Sequence, residues 1–178
     1  MDIADSLPGS GSLAERHSDC RQCFPSAIRK QQFEQIVEAA LAASGLAPQR
    51  LELEIAEGLL IKNIANTLKQ LREIQAMGVS VAMDDFGTGH SSLNYLSSFP
   101  FSKIKIDQSF VHRMYTDKSR VLIKAVLALG NALGTKTLAE GIETEEQFDY
   151  LARNGCMEIQ GYLISKPVPA ERIQALIS

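Results

Sequence analysis

From about residue 29 to the C-terminus, short β-branched segments alternate with amphipathic segments of helical periodicity. The periodicity is clearest in 60–77, where apolar residues three and four positions apart fall on one face. Alternating strands and helices favour a parallel sheet with crossover helices. The pattern predicts strands at 51–55, 79–83, 103–107, 135–139 and 157–160, and helices at 32–43, 60–77, 91–96, 119–133, 145–153 and 170–177.

An adjacent pair of carboxylates, Asp84 and Asp85, follows the apolar run 79–82 and precedes a turn that contains two glycines. Barrel enzymes present metal ligands in this way, at the carboxyl ends of strands. Such a pair is more often part of a turn or a helix cap, so the segment is only suggestive by itself. Its Asp-Phe-Gly also occurs in protein kinases, but the chain lacks their glycine-rich and His-Arg-Asp loops, which excludes that class.

Charged or amide side chains recur at the ends of the other predicted strands, and each one alone is most simply a solvated strand edge. Taken together, in this order and spacing, the segments resemble the EAL family of cyclic di-GMP phosphodiesterases. The resemblance runs from about residue 29 to the C-terminus. It is carried by LELEIAE at 51–57, MDDFGTG at 83–89, KID at 105–107, AEGIET at 139–144 and QGY at 160–162.

The resemblance implies a (β/α)₈-type barrel and a defined reaction. Members of the family hydrolyse one phosphodiester bond of cyclic di-GMP to give the linear dinucleotide pGpG, using two Mg²⁺ or Mn²⁺ ions. A barrel of this kind usually needs roughly 200–250 residues. A chain of 178 residues with this strand pattern is therefore expected to form an α/β fold that is an incomplete (β/α)₈ TIM-type barrel, with about five parallel strands alternating with helices.

By motif position, the resemblance implies that Glu54, Asp84 and Asp85 are metal ligands, with Asp84 shared between the two ions. Carboxylate oxygens suit this role because hard divalent cations prefer oxygen ligands. Lys105 is expected to position the attacking water and to neutralise developing charge. Glu140 is expected to act on the same water.

The resemblance also implies three supporting roles. Asp107 is grouped with the catalytic residues and is expected to support them from outside the metal coordination sphere. Gln160 is expected to bind the substrate through hydrogen bonds. Glu57 is expected to anchor the loop that follows Asp85. Two mild departures from the family pattern are Ala56, where Thr is usual, and His90, where Tyr is usual.

Two elements of the family have no counterpart in the 178 residues: the Glu-Ala-Leu signature and an Asn-Leu-Ser or Asn-Val-Ser element, each of which supplies a ligand of the first metal. We therefore expect a phosphodiesterase that is inactive or severely impaired as a lone chain. One alternative is an enzyme that recovers a full barrel through a partner chain. Another is a degenerate module that binds cyclic di-GMP or dimerises without catalysis, and a third is the remnant of an active enzyme.

Residues 1–28 do not match the family and form a Gly/Ser-rich segment that is predicted to be irregular, whereas 29–178 correspond to the C-terminal part of an EAL domain. Permitted codons for 18–28, read one base later, encode Ala-Ile-Ala-Val-Asn-Val-Ser-Pro-Ala-Gln, which contains the missing asparagine element. We therefore hypothesise that a single-base deletion near codons 28 and 29 shifted the reading frame. A divergent leader is the alternative. In the frameshift case the Cys-x-x-Cys at 20–23 has no meaning as a metal motif.

Composition narrows the remaining possibilities. The net charge of −3 provides no basic surface for a nucleic acid polymer. No apolar run approaches the roughly 18 residues of a membrane span, and the acidic N-terminus lacks a signal-peptide pattern. The three cysteines do not make a disulfide framework. We expect a cytoplasmic protein whose partners are cyclic di-GMP and, in a homodimer or a mixed pair, another copy or an intact EAL protein.

Overall fold

The computed structural model describes residues 33–62, 64–87, 93–169 and Arg172. The predicted leader 1–28 and His90 lie outside these residues, as does the predicted helix 170–177 apart from Arg172. The strands are β1 (Glu52–Ala56), β2 (Ser80–Phe86), β3 (Lys103–Ile106), β4 (Lys136–Glu140) and β5 (Glu158–Gln160). The α-helices are α1 (Phe33–Ser44), α2 (Glu57–Lys62), α3 (Ile64–Ala76), α4 (Leu93–Ser98), α5 (Gln108–His112), α6 (Asp117–Leu133) and α7 (Glu145–Arg153), and Pro48–Arg50 form a 3₁₀ turn.

The strands form one five-stranded sheet in the order β1-β2-β3-β4-β5. Neighbouring strands from β2 to β5 pair in parallel. Within the described residues β1 and β5 are not paired with each other, so the sheet is open there. The prediction of five parallel strands alternating with helices is confirmed.

The described residues fall into two compact units, of which one includes 33–53 and 65–80 and the other includes 54–62, 81–87 and 93–166. In the first unit, the buried side chains include Phe33, Leu71 and Ile74. In the second, the apolar residues of β2, β3 and β4 are buried together with Ile123 of α6. All the side chains predicted to form the site belong to this second unit.

Helix boundaries follow local sequence signals. Helix α7 begins with a capping box. The Thr144 hydroxyl accepts a hydrogen bond from the backbone N–H of Gln147, and the side-chain oxygen of Gln147 accepts one from the backbone N–H of Thr144. Helix α6 begins after Thr116, whose hydroxyl accepts from the Ser119 amide, and ends at Gly134 in the left-handed conformation (φ 65°). These signals explain why the predicted bounds of α7 agree with the structure.

Two differences from the predicted elements affect the site. The second strand was expected to stop at residue 83, but β2 continues to Phe86 and therefore contains both aspartates. The short helix α5, which follows Asp107, was not predicted. No helix among the described residues is both long enough and apolar enough to span a bilayer.

Candidate functional site

A buried ammonium group lies among carboxylates from neighbouring strands. Lys105 of β3 places its Nζ 2.6 Å from Glu54 Oε1 of β1, 3.1 Å from Asp84 Oδ1 of β2 and 2.8 Å from Glu140 Oε1 of β4. The Lys105 side chain is 3% exposed, and the three carboxylate side chains are between 4% and 14% exposed. The structure thus brings together four of the predicted site residues.

A β-bulge in β2 explains how two adjacent aspartates can serve one site. Met83 pairs with Ile104 and Phe86 with Ile106, so Asp84 and Asp85 together lie opposite the single residue Lys105. In a regular strand, adjacent side chains point to opposite faces. The extra residue of a bulge breaks this alternation, and Asp85 adopts a positive φ of 54°, a conformation that aspartate tolerates better than most residues.

The charge on Lys105 is maintained by its partners. Burial alone lowers the pKa of Lys105, because water no longer solvates the ammonium. Hydrogen bonds to Glu140 and Glu54 and the charges of Glu140 and Asp84 outweigh this effect, so the pKa of Lys105 is raised above its ordinary value. The lysine is therefore a cation held at the centre of an acidic cluster.

The donor set suits a divalent cation. Asp84, Asp85 and Glu140 each offer a carboxylate oxygen, and these oxygens all lie within 4.8 Å of one another. Hard ions such as Mg²⁺, Mn²⁺ and Ca²⁺ are bound by oxygens of this kind. The ammonium of Lys105 already occupies a position within 3.1 Å of oxygens from three carboxylates, which shows that the cluster accommodates positive charge.

Glu57 lies where a loop anchor is expected. Its side chain is almost completely buried, and its Oε2 accepts a hydrogen bond of 3.1 Å from the backbone amide of Gly87. Gly87 has φ 94° and directly follows β2. A carboxylate from the start of α2 thus holds the turn after the aspartate pair, although its predicted functional role remains untested.

Asp107 and Gln160 lie outside the ammonium cluster. Asp107 caps α5, because its Oδ1 accepts a 3.0 Å hydrogen bond from the Ser109 amide. Gln160 is exposed on β5 and pairs in register with Glu140 of β4. The supporting role of Asp107 and the substrate-binding role of Gln160 stay predictions.

Sequence reasoning did not identify Phe110 of α5, whose ring packs against Gly87. A Cβ built on Gly87 would lie 3.2 Å from Phe110 Cε2 and 3.3 Å from its Cζ. The signal in the sequence is faint: an aromatic residue three positions after Asp107, in a segment too short to show helical periodicity.

Comparison with known proteins gives relatives over most of the chain. An uncharacterized signaling protein of Caulobacter vibrioides is 49% identical over 139 residues, which are 78% of this chain and 17% of the relative. The cyclic di-GMP phosphodiesterase RocR of Pseudomonas aeruginosa is 40% identical over 148 residues, which are 83% of this chain and 38% of RocR. The chain therefore spans well under half the length of either relative.

Solved structures share the same fold. The PaMucR phosphodiesterase in its c-di-GMP complex aligns with a TM-score of 0.80 and 38% identity, covering 84% of this chain and 61% of that one. Klebsiella pneumoniae BlrP1, in a complex with manganese and cyclic di-GMP, aligns with a TM-score of 0.73 and 30% identity, covering 80% of this chain and 37% of that one. These neighbours support the assignment of the open sheet to a TIM-barrel-like fold.

The EAL domain profile matches residues 23–167, which include every residue of the carboxylate and lysine cluster. Both the sequence match and the fold comparison thus rest on the part of the chain that carries the site, and the chain belongs to the EAL domain family.

Proposed function

We propose that this chain carries a metal-dependent cyclic di-GMP phosphodiesterase site that converts the cyclic dinucleotide to linear pGpG. The observation that carries the proposal is the placement of three carboxylates around the buried ammonium of Lys105. Its support from relatives is that RocR is named a cyclic di-GMP phosphodiesterase and that PaMucR and BlrP1 form complexes with the dinucleotide.

Glu54, Asp84 and Asp85 are the proposed ligands of two Mg²⁺ or Mn²⁺ ions. When bound, such ions lower the pKa of water and stabilise the departing oxygen of a phosphodiester. Two observations support a divalent ion here. BlrP1 forms a complex with manganese, and one carboxylate oxygen from each of Asp84, Asp85 and Glu140 lies within 4.8 Å of the others. The choice between magnesium and manganese is left to the assay below.

The remaining residues act on the water and the phosphate. The ammonium of Lys105 has three N–H donors, which can orient the attacking water and offset the charge that develops on the phosphate oxygens. Glu140 Oε1 lies 2.8 Å from this ammonium and is placed to accept a proton from the same water. Gln160, opposite Glu140 in the sheet, is the proposed hydrogen-bonding contact to the substrate.

We further propose that this chain alone turns over slowly. Glu54 and Asp84 are two of the four protein ligands that the family resemblance implies for the first ion, and the other two have no counterpart in the sequence. Loss of groups that only support metal ligands costs roughly 10–100-fold in affinity or activity, so loss of ligands should cost at least as much. A second copy or an intact EAL protein could supply the absent groups in a mixed pair.

The test is hydrolysis of cyclic di-GMP by the purified chain, followed by chromatography of pGpG with Mg²⁺, with Mn²⁺ and with a chelator. We expect slow, metal-dependent product formation that Asp84→Asn abolishes. Asp149→Asn is the matched control, because it removes the same charge from a 60% exposed side chain on α7. Product that forms equally in the chelator, or that survives Asp84→Asn, would contradict the proposal.

Calorimetry of cyclic di-GMP binding with Ca²⁺ distinguishes the binding module from the enzyme. Binding that depends on Asp84, without any turnover in Mg²⁺ or Mn²⁺, would favour a module that senses the dinucleotide. Absence of both binding and turnover would favour a catalytic remnant. Turnover equal to that of an intact family enzyme would refute the proposed impairment.

A further inference from the structure

The short helix α5 touches the residues that directly follow β2 and β4, the two strands that carry Asp84, Asp85 and Glu140. On one side, the ring of Phe110 packs against Gly87, which directly follows β2 and lies two residues after Asp85. On the other side, a Cβ added to Gly141 would lie 2.6 Å from the Cβ of Gln108, so only a glycine fits this close to α5 without a shift. Gly141 directly follows Glu140. Helix α5 therefore contacts both segments, one through Phe110 and the other through Gln108.

The helix is itself fixed to the sheet. It begins directly after β3, and the Asp107 carboxylate caps it through the Ser109 amide. On its inner side, Val111 is completely buried. The position of Phe110 is therefore set by β3 and the core, which makes its ring a fixed surface for the turn after β2.

One residue of this segment, Asp85, holds a backbone conformation that a non-glycine residue does not favour. Asp85 has φ 54° and Gly87 has φ 94°, both in the left-handed region. A non-glycine residue held there costs about 1–3 kcal/mol and persists only when its surroundings fix it. Two contacts fix the chain two residues after Asp85: Glu57 accepts a hydrogen bond from the Gly87 amide, and the Phe110 ring packs against Gly87.

We propose that Phe110 is a positioning residue for the metal centre. Its ring holds Gly87, and with it the Asp84 and Asp85 carboxylates, at the distance from Glu140 at which one cation can be bound. The inference rests on the proposed function, because it concerns the same metal site. It adds a residue that touches neither ion nor substrate and that acts through the backbone of the bulge.

The most specific perturbation is Phe110→Leu. Leucine keeps the inner atoms of the side chain and removes the Cε and Cζ atoms that lie against Gly87. The readout is the affinity of the full chain for Mn²⁺ alone, measured by isothermal titration calorimetry. We expect it to weaken about 10-fold or more, as for other groups that orient metal ligands. The exchange rate of the Gly87 amide should rise in the same variant.

The control is Phe101→Leu, which removes the same atoms from a ring that is 5% exposed and packs against Phe99 before β3, at the end of the strand remote from Asp107. This change should lower the free energy of unfolding without changing Mn²⁺ affinity. Phe110→Met, whose longer side chain can again reach Gly87, should restore most of the affinity.

Each outcome decides the matter. Weaker Mn²⁺ binding in Phe110→Leu, with wild-type affinity in Phe101→Leu, supports the inference. Unchanged affinity in Phe110→Leu, or an equal loss in both variants, overturns it and leaves the proposed metal site intact. A wild-type chain that binds no Mn²⁺ refutes the proposed metal site, and the positioning role with it.

Discussion

Replacing Lys105 with methionine tests whether the ammonium is the internal counterion of the carboxylate cluster. Lys105 is the shared partner of Glu54, Asp84 and Glu140 at 2.6–3.1 Å. Methionine has a similar length and no charge, so the three carboxylates would lose their common cation. Removing one partner of a buried ion pair typically costs about 3–5 kcal/mol.

The structure favours the lower end of this range. Asp84 is 4% exposed, but Glu54 and Glu140 keep 14% and 10% exposure, so water can solvate part of the uncompensated charge. We expect Lys105→Met to lower the free energy of unfolding by about 3 kcal/mol in the absence of metal. With a urea dependence of about 2 kcal/mol per M, the unfolding midpoint would fall by about 1.5 M.

Added Mn²⁺ should reverse part of this loss. In the wild-type chain an incoming ion competes with the ammonium for the same oxygens, whereas in Lys105→Met it does not. An ion present at 100 times its dissociation constant stabilises the folded state by about 2.7 kcal/mol. The midpoint in urea, followed by circular dichroism with chelator and with Mn²⁺, should therefore rise more in the variant than in the wild type.

Lys103→Met is the matched control, because Lys103 lies on the same strand and pairs with Glu158 at 2.9 Å in a more exposed setting. Its loss should cost about 1 kcal/mol or less. If Lys105→Met unfolds outright, the double variant Lys105→Met/Glu140→Gln, which also removes one carboxylate charge, should recover part of the stability. A Lys105→Met cost no larger than that of Lys103→Met would refute the counterion argument. So would an equal effect of Mn²⁺ on variant and wild type.

Three further outcomes are expected. Gly161→Ala should unfold the chain or cost more than about 3 kcal/mol, because its Cβ would overlap the backbone of Ile142. Thermal unfolding should show no comparable loss in Gly58→Ala, where the space is open and the backbone has no positive φ. Thr144→Ala should cost about 1 kcal/mol in urea unfolding by removing the cap of α7. The pKa of Glu158 is lowered, chiefly by its hydrogen bond with Lys103. The contribution of Glu158 to the free energy of unfolding is therefore complete above pH 4.5, its ordinary pKa, and is lost as the pH falls through the lowered pKa. Glu158→Gln should remove that part of the acid dependence of unfolding.

The sequence was sufficient to predict the five strands and the longer helices. The pattern predicted α7 at 145–153, and the capping box of Thr144 explains the agreement. The family resemblance implied that Glu54, Lys105 and Glu140 share one site, and their approach agrees with the meeting of the carboxyl ends of parallel strands at one edge. Such features depend on local propensity and on the order of strands and helices, and both can be read from the sequence.

The parts that could not be predicted depend on contacts between distant residues. The bulge at Asp84 and Asp85 is defined by the register of β2 against β3, and no local pattern shows it. The short helix α5 is capped by the Asp107 carboxylate, which accepts a hydrogen bond from the Ser109 amide. Its five residues are too few to show helical periodicity in the sequence. The packing of Phe110 against Gly87 follows from both features, and so it was not foreseen.

The position of Lys105 links the stability of the metal-free fold to the chemistry of the site. A cluster of buried carboxylates is costly without a cation, and the lysine supplies one from within the chain. The same ammonium then opposes metal binding, because the ion must share or take over its oxygens. We therefore expect Lys105→Met to bind Mn²⁺ more tightly than the wild type while hydrolysing cyclic di-GMP more slowly, a reversal that a purely structural lysine would not produce.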